Sequence, residues 1–220
     1  MYKIKKFDLL IAVYIFCICA AEFMGSKTFP LIEVFGKPLN ASVAIFLIPL
    51  LFTINDVITE VYGKERTRSV IRSGLVVIAL VLLVSVAFTA LPPSSRFAES
   101  EQAYDDIFGK SARIAFASLV AFALAEFLDV YLFAKIRQKL GKSKLWLRTN
   151  ASNFGAQLID TIVFMTLAFY AFNTSFADNY TFLIGLIIPY WLLKCFMSVI
   201  ETPFVYLGVK WLKNEKTNTK

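Results

Sequence analysis

The hydrophobic positions of this chain fall into six long apolar runs, and short polar segments separate them. Turn-forming residues mark the separations, among them the Pro92 and Pro93 pair, Gly141 and the stretch 173–179. A helix needs about 20 apolar residues to cross a bilayer, and each run is long enough. The runs are Leu9–Phe29, Ala41–Tyr62, Val70–Leu91, Ala112–Ala134, Asn150–Phe172 and Thr181–Val209.

The six runs predict membrane-spanning α-helices. In lipid, a spanning segment must satisfy its own backbone hydrogen bonds, and the runs lack the period-two alternation of a barrel. Composition agrees, because 58% hydrophobic residues exceed what a soluble chain of 220 residues can bury. We therefore predict an all-α integral membrane protein, with residues 1–220 as one domain built as a six-helix bundle around a central polar cavity.

Lysine and arginine residues occupy alternate loops along the chain. Most of the 23 lie in the segments 3–6, 64–72, 135–148 and 210–220, whereas the opposite loops clearly hold only Lys37, Arg96 and Lys110. Basic loops stay cytoplasmic, so both termini are predicted to be cytoplasmic. This topology explains the net charge of +7 without a nucleic-acid partner. The first run is too long for a cleaved signal, and we expect it to be retained as a span.

Carboxylates inside apolar runs are candidate functional residues. Each costs about 2.5–3.5 kcal/mol near a helix centre unless it faces the bundle interior and finds a partner. Asp56 and Glu60 are spaced i, i+4 near the end of the second run, and Glu126 and Asp129 are spaced i, i+3 in the fourth. Either pair could line a cavity; for Glu60, pairing with nearby basic residues at the interface is an equal alternative.

The fifth and sixth runs carry a second group of polar residues. Asn153, Gln157 and Asp160 fall within about 60° of one another on a helix. The amides could equally hold helices together, but Asp160 near the midpoint needs a cation. Lys194, near the centre of the sixth run, can supply it, and pairing would lower the desolvation cost of both groups. The candidate partners of Lys194 are Asp160, Asp56 and Glu201.

The residue types argue against enzyme chemistry. The chain has no histidine, and Cys17, Cys19 and Cys195 lie in apolar runs without ligand spacing, so we expect no metal and no haem. Glycine-rich phosphate loops and nucleophile elbows are also absent from the sequence, and no cofactor is expected. Carboxylates, amides, one buried lysine and many aromatic rings suit a small, planar, hydrogen-bonding solute.

These motifs together resemble the queuosine precursor transporters, also called vitamin uptake transporter-like (VUT) proteins. The resemblance covers nearly the whole chain, in size and in number of predicted spans. It is carried by the string Asn55–Gly63, by Arg113 and Ser118, by the segments 126–130 and 152–161, and by Lys27 and Lys194. Glu22 departs from the pattern, because asparagine is expected at that position.

The resemblance implies import of queuosine precursors (7-cyano- and 7-aminomethyl-7-deazaguanine, with queuine as a further candidate) across the bacterial cytoplasmic membrane, for salvage into tRNA queuosine. An alternative is the substrate-binding subunit of an energy-coupling-factor vitamin transporter. Energy coupling and homo-oligomerisation are left open. The expected substrate-binding residues are Asp56, Glu60, Glu126, Asp129, Asn153, Gln157, Asp160 and Lys194.

Overall fold

The computed structural model describes the backbone of residues 4–34, 37–140, 145–200 and 202–217. Within these ranges, side chains are described except at residues 32, 34, 37–38, 64, 126–140, 145–153, 197–200, 202 and 214–217. Of the residues predicted to bind substrate, Glu126, Asp129 and Asn153 therefore have side chains outside the described part of the chain, as does Glu201.

Seven α-helices make up most of the described chain, and a β-hairpin and a short 3-10 helix (Val43–Phe46) lie between the first two of them. The hairpin strands are β1 (Thr28–Val34) and β2 (Lys37–Ser42). The helices are α1 (Lys6–Met24), α2 (Ile48–Tyr62), α3 (Lys64–Thr89), α4 (Glu101–Leu140), α5 (Leu145–Phe169), α6 (Phe176–Ile200) and α7 (Thr202–Thr217).

Five helical segments are long and apolar enough to cross a membrane in the part of the chain that the structure describes. They are Lys6–Met24, Val43–Tyr62, Glu65–Thr89, Glu101–Ala125 and Phe176–Phe196. The described apolar part of α5 is shorter and covers Phe154–Phe169. The predicted integral membrane architecture is thus supported, while six spans and cytoplasmic termini stay predictions.

The structure differs from the predicted runs at four places. The second run, Ala41–Tyr62, begins in strand β2 and the 3-10 helix, and its α-helix starts at Ile48. The first run stops being helical at Met24, and its last residues enter strand β1. Helix α4 starts at Glu101 within the predicted outer loop, because residues 101–108 contain neither glycine nor proline to prevent it. The last run comprises two helices, since α6 ends at Ile200 and Pro203 lies in the first turn of α7, where its missing N–H costs nothing.

The β-hairpin is the one strand pairing in the described chain, and it closes one end of the bundle. Its strands are antiparallel and pair Thr28 with Ser42 and Val34 with Lys37. The hydroxyl of Tyr190 on α6 donates a hydrogen bond to the Ser42 carbonyl oxygen at 3.0 Å. The buried residues Ala41 and Ile45 pack in one cluster with α5 and α6 side chains, so the hairpin is anchored to the helices rather than projecting from them.

Three of the basic segments meet at the opposite end of the bundle. The guanidinium of Arg66, which follows the α2–α3 turn, lies 5.0 Å from the ring centroid of Phe7 on α1. The Lys6 ammonium donates a 2.5 Å hydrogen bond to the Trp211 carbonyl oxygen on α7. The turn itself depends on Gly63, whose φ of +86° is a conformation that other residues rarely adopt. The N-terminus, the α2–α3 turn and α7 therefore lie on one side.

Helix α7 packs on α2 through a close approach at Gly208. A Cβ added there would lie 2.6 Å from Cγ2 of Val57, a side chain that is 2% exposed and stiff at χ1. Val57, Val209 and Leu212 form the buried cluster between these helices. The absence of a side chain at Gly208 thus sets how closely α7 can dock.

Gly208→Ala is expected to lower the free energy of unfolding by about 1–3 kcal/mol, because the added methyl group overpacks a filled contact. The measurement is thermal unfolding of the detergent-solubilised protein. Gly109→Ala is the matched control, since nothing lies within 4 Å of a Cβ added at Gly109 on α4. An equal or higher melting temperature for Gly208→Ala would show that this approach does not limit the docking of α7.

Candidate functional site

Two adjoining cavities lie inside the helix bundle. The first, of about 280 Å³, reaches toward the hairpin, where Gly25, Ser42 and Ala44 line it. The second, of about 450 Å³, reaches the other way, toward Asn55 and Gln157. Both are lined by the same central residues, so they form two halves of one space. These shared residues are Ile18, Leu51, Phe52, Leu75, Ile78, Phe122, Asp160 and Lys194.

An ion pair lies at the junction of the two cavities. Nζ of Lys194 on α6 is 2.6 Å from Oδ2 of Asp160 on α5, and it also donates to the Thr161 hydroxyl at 3.1 Å. Of the three candidate partners, Asp160, Asp56 and Glu201, it is Asp160 that pairs with Lys194 in the described chain. Exposed fractions of 13% for Lys194 and 26% for Asp160 show that the pair is largely desolvated yet still reachable from the cavity. Such a pair can bind a solute through the remaining carboxylate lone pairs and ammonium protons.

Helices α5 and α6 hold this pair in place through side-chain hydrogen bonds and apolar packing. The Thr161 hydroxyl, 1% exposed as a residue, donates to the Gln157 carbonyl oxygen at 2.8 Å and accepts from Lys194. Met165 on α5 and Leu186 on α6 pack in the same buried cluster on the hairpin side of the pair. The charges are therefore fixed between two packed helices rather than carried on mobile loops.

Glu22 on α1 is a further carboxylate in the hairpin-side cavity. It is 5% exposed, and its Oε2 atom has no hydrogen-bond partner among the described residues. The side chain of Ser118 on α4 interacts with the carboxylate and lines the same cavity. The sequence showed an acid within an apolar run here, but only the folded arrangement places it on the cavity wall.

The other cavity carries amide groups. Asn55 on α2 lines it together with Gln157 on α5, and Tyr14 on α1 interacts with Asn55. The Asn55 Oδ1 atom is buried without a hydrogen-bond partner among the described residues, which leaves an acceptor for a ligand donor. Asn55 was not among the predicted site residues. Its sequence signal was its position beside Asp56, which directed attention to the neighbouring carboxylate instead.

Aromatic rings form the apolar walls of the junction. Phe52 on α2 and Phe122 on α4 line both cavities, and Phe164 and Tyr190 line the hairpin-side one. Faces of such rings stack on planar heterocycles. Ring faces and the ion pair thus meet at the junction, and the amides line the cavity beside it.

The predicted site residues are thus only partly brought together. Asp160, Gln157 and Lys194 line the central space. Asp56 and Glu60 are exposed on α2 and are not among the residues that line either of these two cavities. Their i, i+4 spacing does put them on one helix face, but that face is turned away from the junction.

Arg113 has a structural role. From the α4 side, its Nε donates to the Leu167 carbonyl oxygen at 2.7 Å and its Nη2 to the Tyr170 carbonyl oxygen at 2.6 Å. These carbonyls lie at the C-terminal end of α5, where the last turn leaves acceptors unsatisfied and a cation complements the helix dipole. Arg113 therefore ties α4 to α5.

The ion pair at the junction is expected to show strong energetic coupling. Asp160→Asn and Lys194→Met should each lower the free energy of unfolding by about 3 kcal/mol, because each leaves one desolvated charge without its partner. The double variant should lose clearly less than the sum, and a double-mutant cycle on thermal or denaturant unfolding measures the difference.

The exposed pair of Glu65 and Arg68 serves as the control for that cycle, with a nitrogen–oxygen distance of 2.8 Å and exposed fractions of 87% and 63%. It should show coupling below about 1 kcal/mol, because water screens it. Additive losses at Asp160 and Lys194 would mean that the pair does not bind α5 to α6.

Comparison with known proteins places the chain in a family. A family model described as "Putative vitamin uptake transporter" matches residues 42–208. A "Probable queuosine precursor transporter" of Bacillus subtilis is 30% identical over 86% of this chain and 79% of its own length. No solved structure matches the chain.

Two further relatives carry similar names. A "Probable queuosine precursor transporter" of Haemophilus influenzae is 31% identical over 69% of this chain and 61% of its own length. The "Queuosine precursor transporter" of Escherichia coli is 29% identical over 64% of this chain and 61% of its own length. The location follows from these bacterial relatives, the family match and the apolar helices: the chain is a multi-pass bacterial inner-membrane protein. It belongs to the vitamin uptake transporter family.

Proposed function

We propose that this protein imports queuosine precursors across the bacterial cytoplasmic membrane. The solutes would be 7-cyano- and 7-aminomethyl-7-deazaguanine, and queuine is a further candidate; inside the cell they would enter tRNA queuosine. The names of its relatives support the solute class. The observation that carries the proposal is the Asp160–Lys194 pair at the junction of the two cavities, beside two phenylalanine rings.

A deazaguanine complements the junction in three ways. Its N–H and amino donors can bind the Asp160 carboxylate, and its carbonyl oxygen can accept from the Lys194 ammonium. The ring face can stack on Phe52 or Phe122, which line both cavities. The amides of Asn55 and Gln157 can satisfy further polar atoms of the solute on the side away from the hairpin.

The other predicted residues remain part of the proposal, and their positions relative to the two cavities differ. Asn153 stays an expected substrate-binding residue on the basis of its sequence position one helical turn before Gln157. Glu126 and Asp129 follow Ala125, a residue that lines the cavity on the side of Asn55 and Gln157. Asp56 and Glu60 are exposed on α2 and would act outside the junction, at the end of the path.

The same arrangement supports a direction for the path. The basic segments gathered around Lys6 and Arg66 would face the cytoplasm, following the preference of basic loops for that side. The hairpin would then face outward and cover the entrance to the junction. A solute would enter beside the hairpin, bind at Asp160 and Lys194, and leave past Asn55 and Gln157.

Expression of this chain is expected to restore tRNA queuosine in bacteria that can neither make the precursors nor import them, when trace precursor is supplied outside. The measurement is the queuosine content of isolated tRNA. Cells carrying the empty vector are the control, and an epitope tag verifies that the protein reaches the membrane. Absence of rescue with the protein in the membrane would refute import of these solutes.

Asp160→Asn is expected to reduce precursor uptake at least tenfold, because the neutral amide both breaks the ion pair and loses a charge-assisted acceptor. Uptake of labelled precursor by membrane vesicles, normalised to the amount of protein, measures the effect. Glu99→Gln is the matched control, since Glu99 is an exposed loop carboxylate. Near-normal uptake by Asp160→Asn would remove the ion pair from the substrate site.

A further inference from the structure

Glu22 stands out among the cavity residues because its charge is not balanced. Two carboxylates, Glu22 and Asp160, and a single ammonium, that of Lys194, belong to the described residues that line the two cavities. The ammonium is 2.6 Å from Asp160, so it balances that carboxylate. When all three groups are ionised, the described lining carries one excess negative charge, and Glu22 is its source.

A buried carboxylate without a full set of partners is costly. Glu22 is 5% exposed, and its Oε2 atom has no hydrogen-bond partner among the described residues. Ser118 interacts with the carboxylate but, as a neutral hydroxyl, cannot balance its charge. Burial of a charge is tolerated when a cation or several donors compensate it. The Glu22 side chain lines a cavity of about 280 Å³, which is space for a ligand group beside the carboxylate.

We propose that Glu22 binds a primary ammonium substituent of the transported solute and makes the site prefer a cationic solute over a neutral one of the same ring. An ammonium group supplies a hydrogen-bond donor for Oε2 and a positive charge that balances the carboxylate. This inference rests on the proposed function and names the feature of the solute that Glu22 recognises.

The position of Glu22 relative to the ion pair fits a solute with two distinct ends. Asp160 and Lys194 line both cavities, whereas Glu22 lines only the one on the hairpin side. A ring held at the junction by Asp160, Lys194 and Phe52 therefore has room to direct a substituent toward the hairpin. An aminomethyl group is cationic at neutral pH, because primary alkyl amines titrate near pH 10. A cyano group is neutral and only accepts hydrogen bonds.

Separate measurements of the uptake of the two 7-deazaguanines test the inference. Vesicles containing the wild-type protein or Glu22→Gln receive labelled 7-aminomethyl- or 7-cyano-7-deazaguanine, and the ratio of the two uptake rates is compared. Glutamine keeps the shape and removes the charge, so the aminomethyl-to-cyano ratio should fall about tenfold, the loss expected for one charge-assisted hydrogen bond. The ratio is independent of how much protein each vesicle holds.

Three further variants complete the design. Glu22→Asn should lower the ratio like Glu22→Gln, and it replaces that variant if the glutamine protein does not reach the membrane. Glu22→Asp keeps the charge and should hold the ratio closer to that of the wild type. Glu33→Gln removes an exposed carboxylate from the hairpin, and it should leave the ratio unchanged.

The outcomes separate this inference from the proposed function. A lower ratio for both neutral variants, with Glu33→Gln unchanged, supports a direct contact between Glu22 and the ammonium. An equal loss for both solutes, or an unchanged ratio, overturns the inference while import of the precursors stands. Uptake of neither solute by the wild-type protein overturns the proposed function, and the inference with it.

Discussion

The Asp160–Lys194 pair is the interaction on which the rest of the interior depends. In a bilayer, neither charge could be held at the middle of its helix alone, because no water is present to solvate it. Each helix can therefore bring its polar group to the bundle centre only if the other does so as well. This mutual requirement fixes the rotation of α5 against α6, and with it which faces of both helices line the cavities.

The pair also decides what the cavity can recognise. An ammonium alone would attract anions and a carboxylate alone would attract cations, but the two together present donors and acceptors at nearly zero net charge. Such a surface favours a neutral ring with a mixed hydrogen-bonding edge. Selectivity among ring substituents must then come from other residues of the cavity wall. Among the described lining residues, Glu22 is the charged group outside the ion pair.

Several of these features could be predicted from the sequence, and the reasons are physical. Lys194 and Asp160 were recognisable as partners because charges deep in apolar runs have few alternatives. The helical spans followed from run length. The β-hairpin was not predicted, because strand β1 (Thr28–Val34) begins inside the first run, whose length indicated a helix, and extends into the segment that separates this run from the second. The orientation of Glu22 and Asn55 toward the cavities depends on helix rotation, which a sequence does not display. The exposed position of Asp56 depends on it in the same way.

The bond between Tyr190 and Ser42 has a mechanical consequence. Tyr190 and Lys194 are one turn apart on α6, so the helix that bears the central ammonium also holds the hairpin. An axial or rotational displacement of α6 shifts both attachment points together, because a single helical turn is too short to absorb it. The hairpin end of the space and the ion pair are thus attached to the same helix within one turn, without any intervening loop.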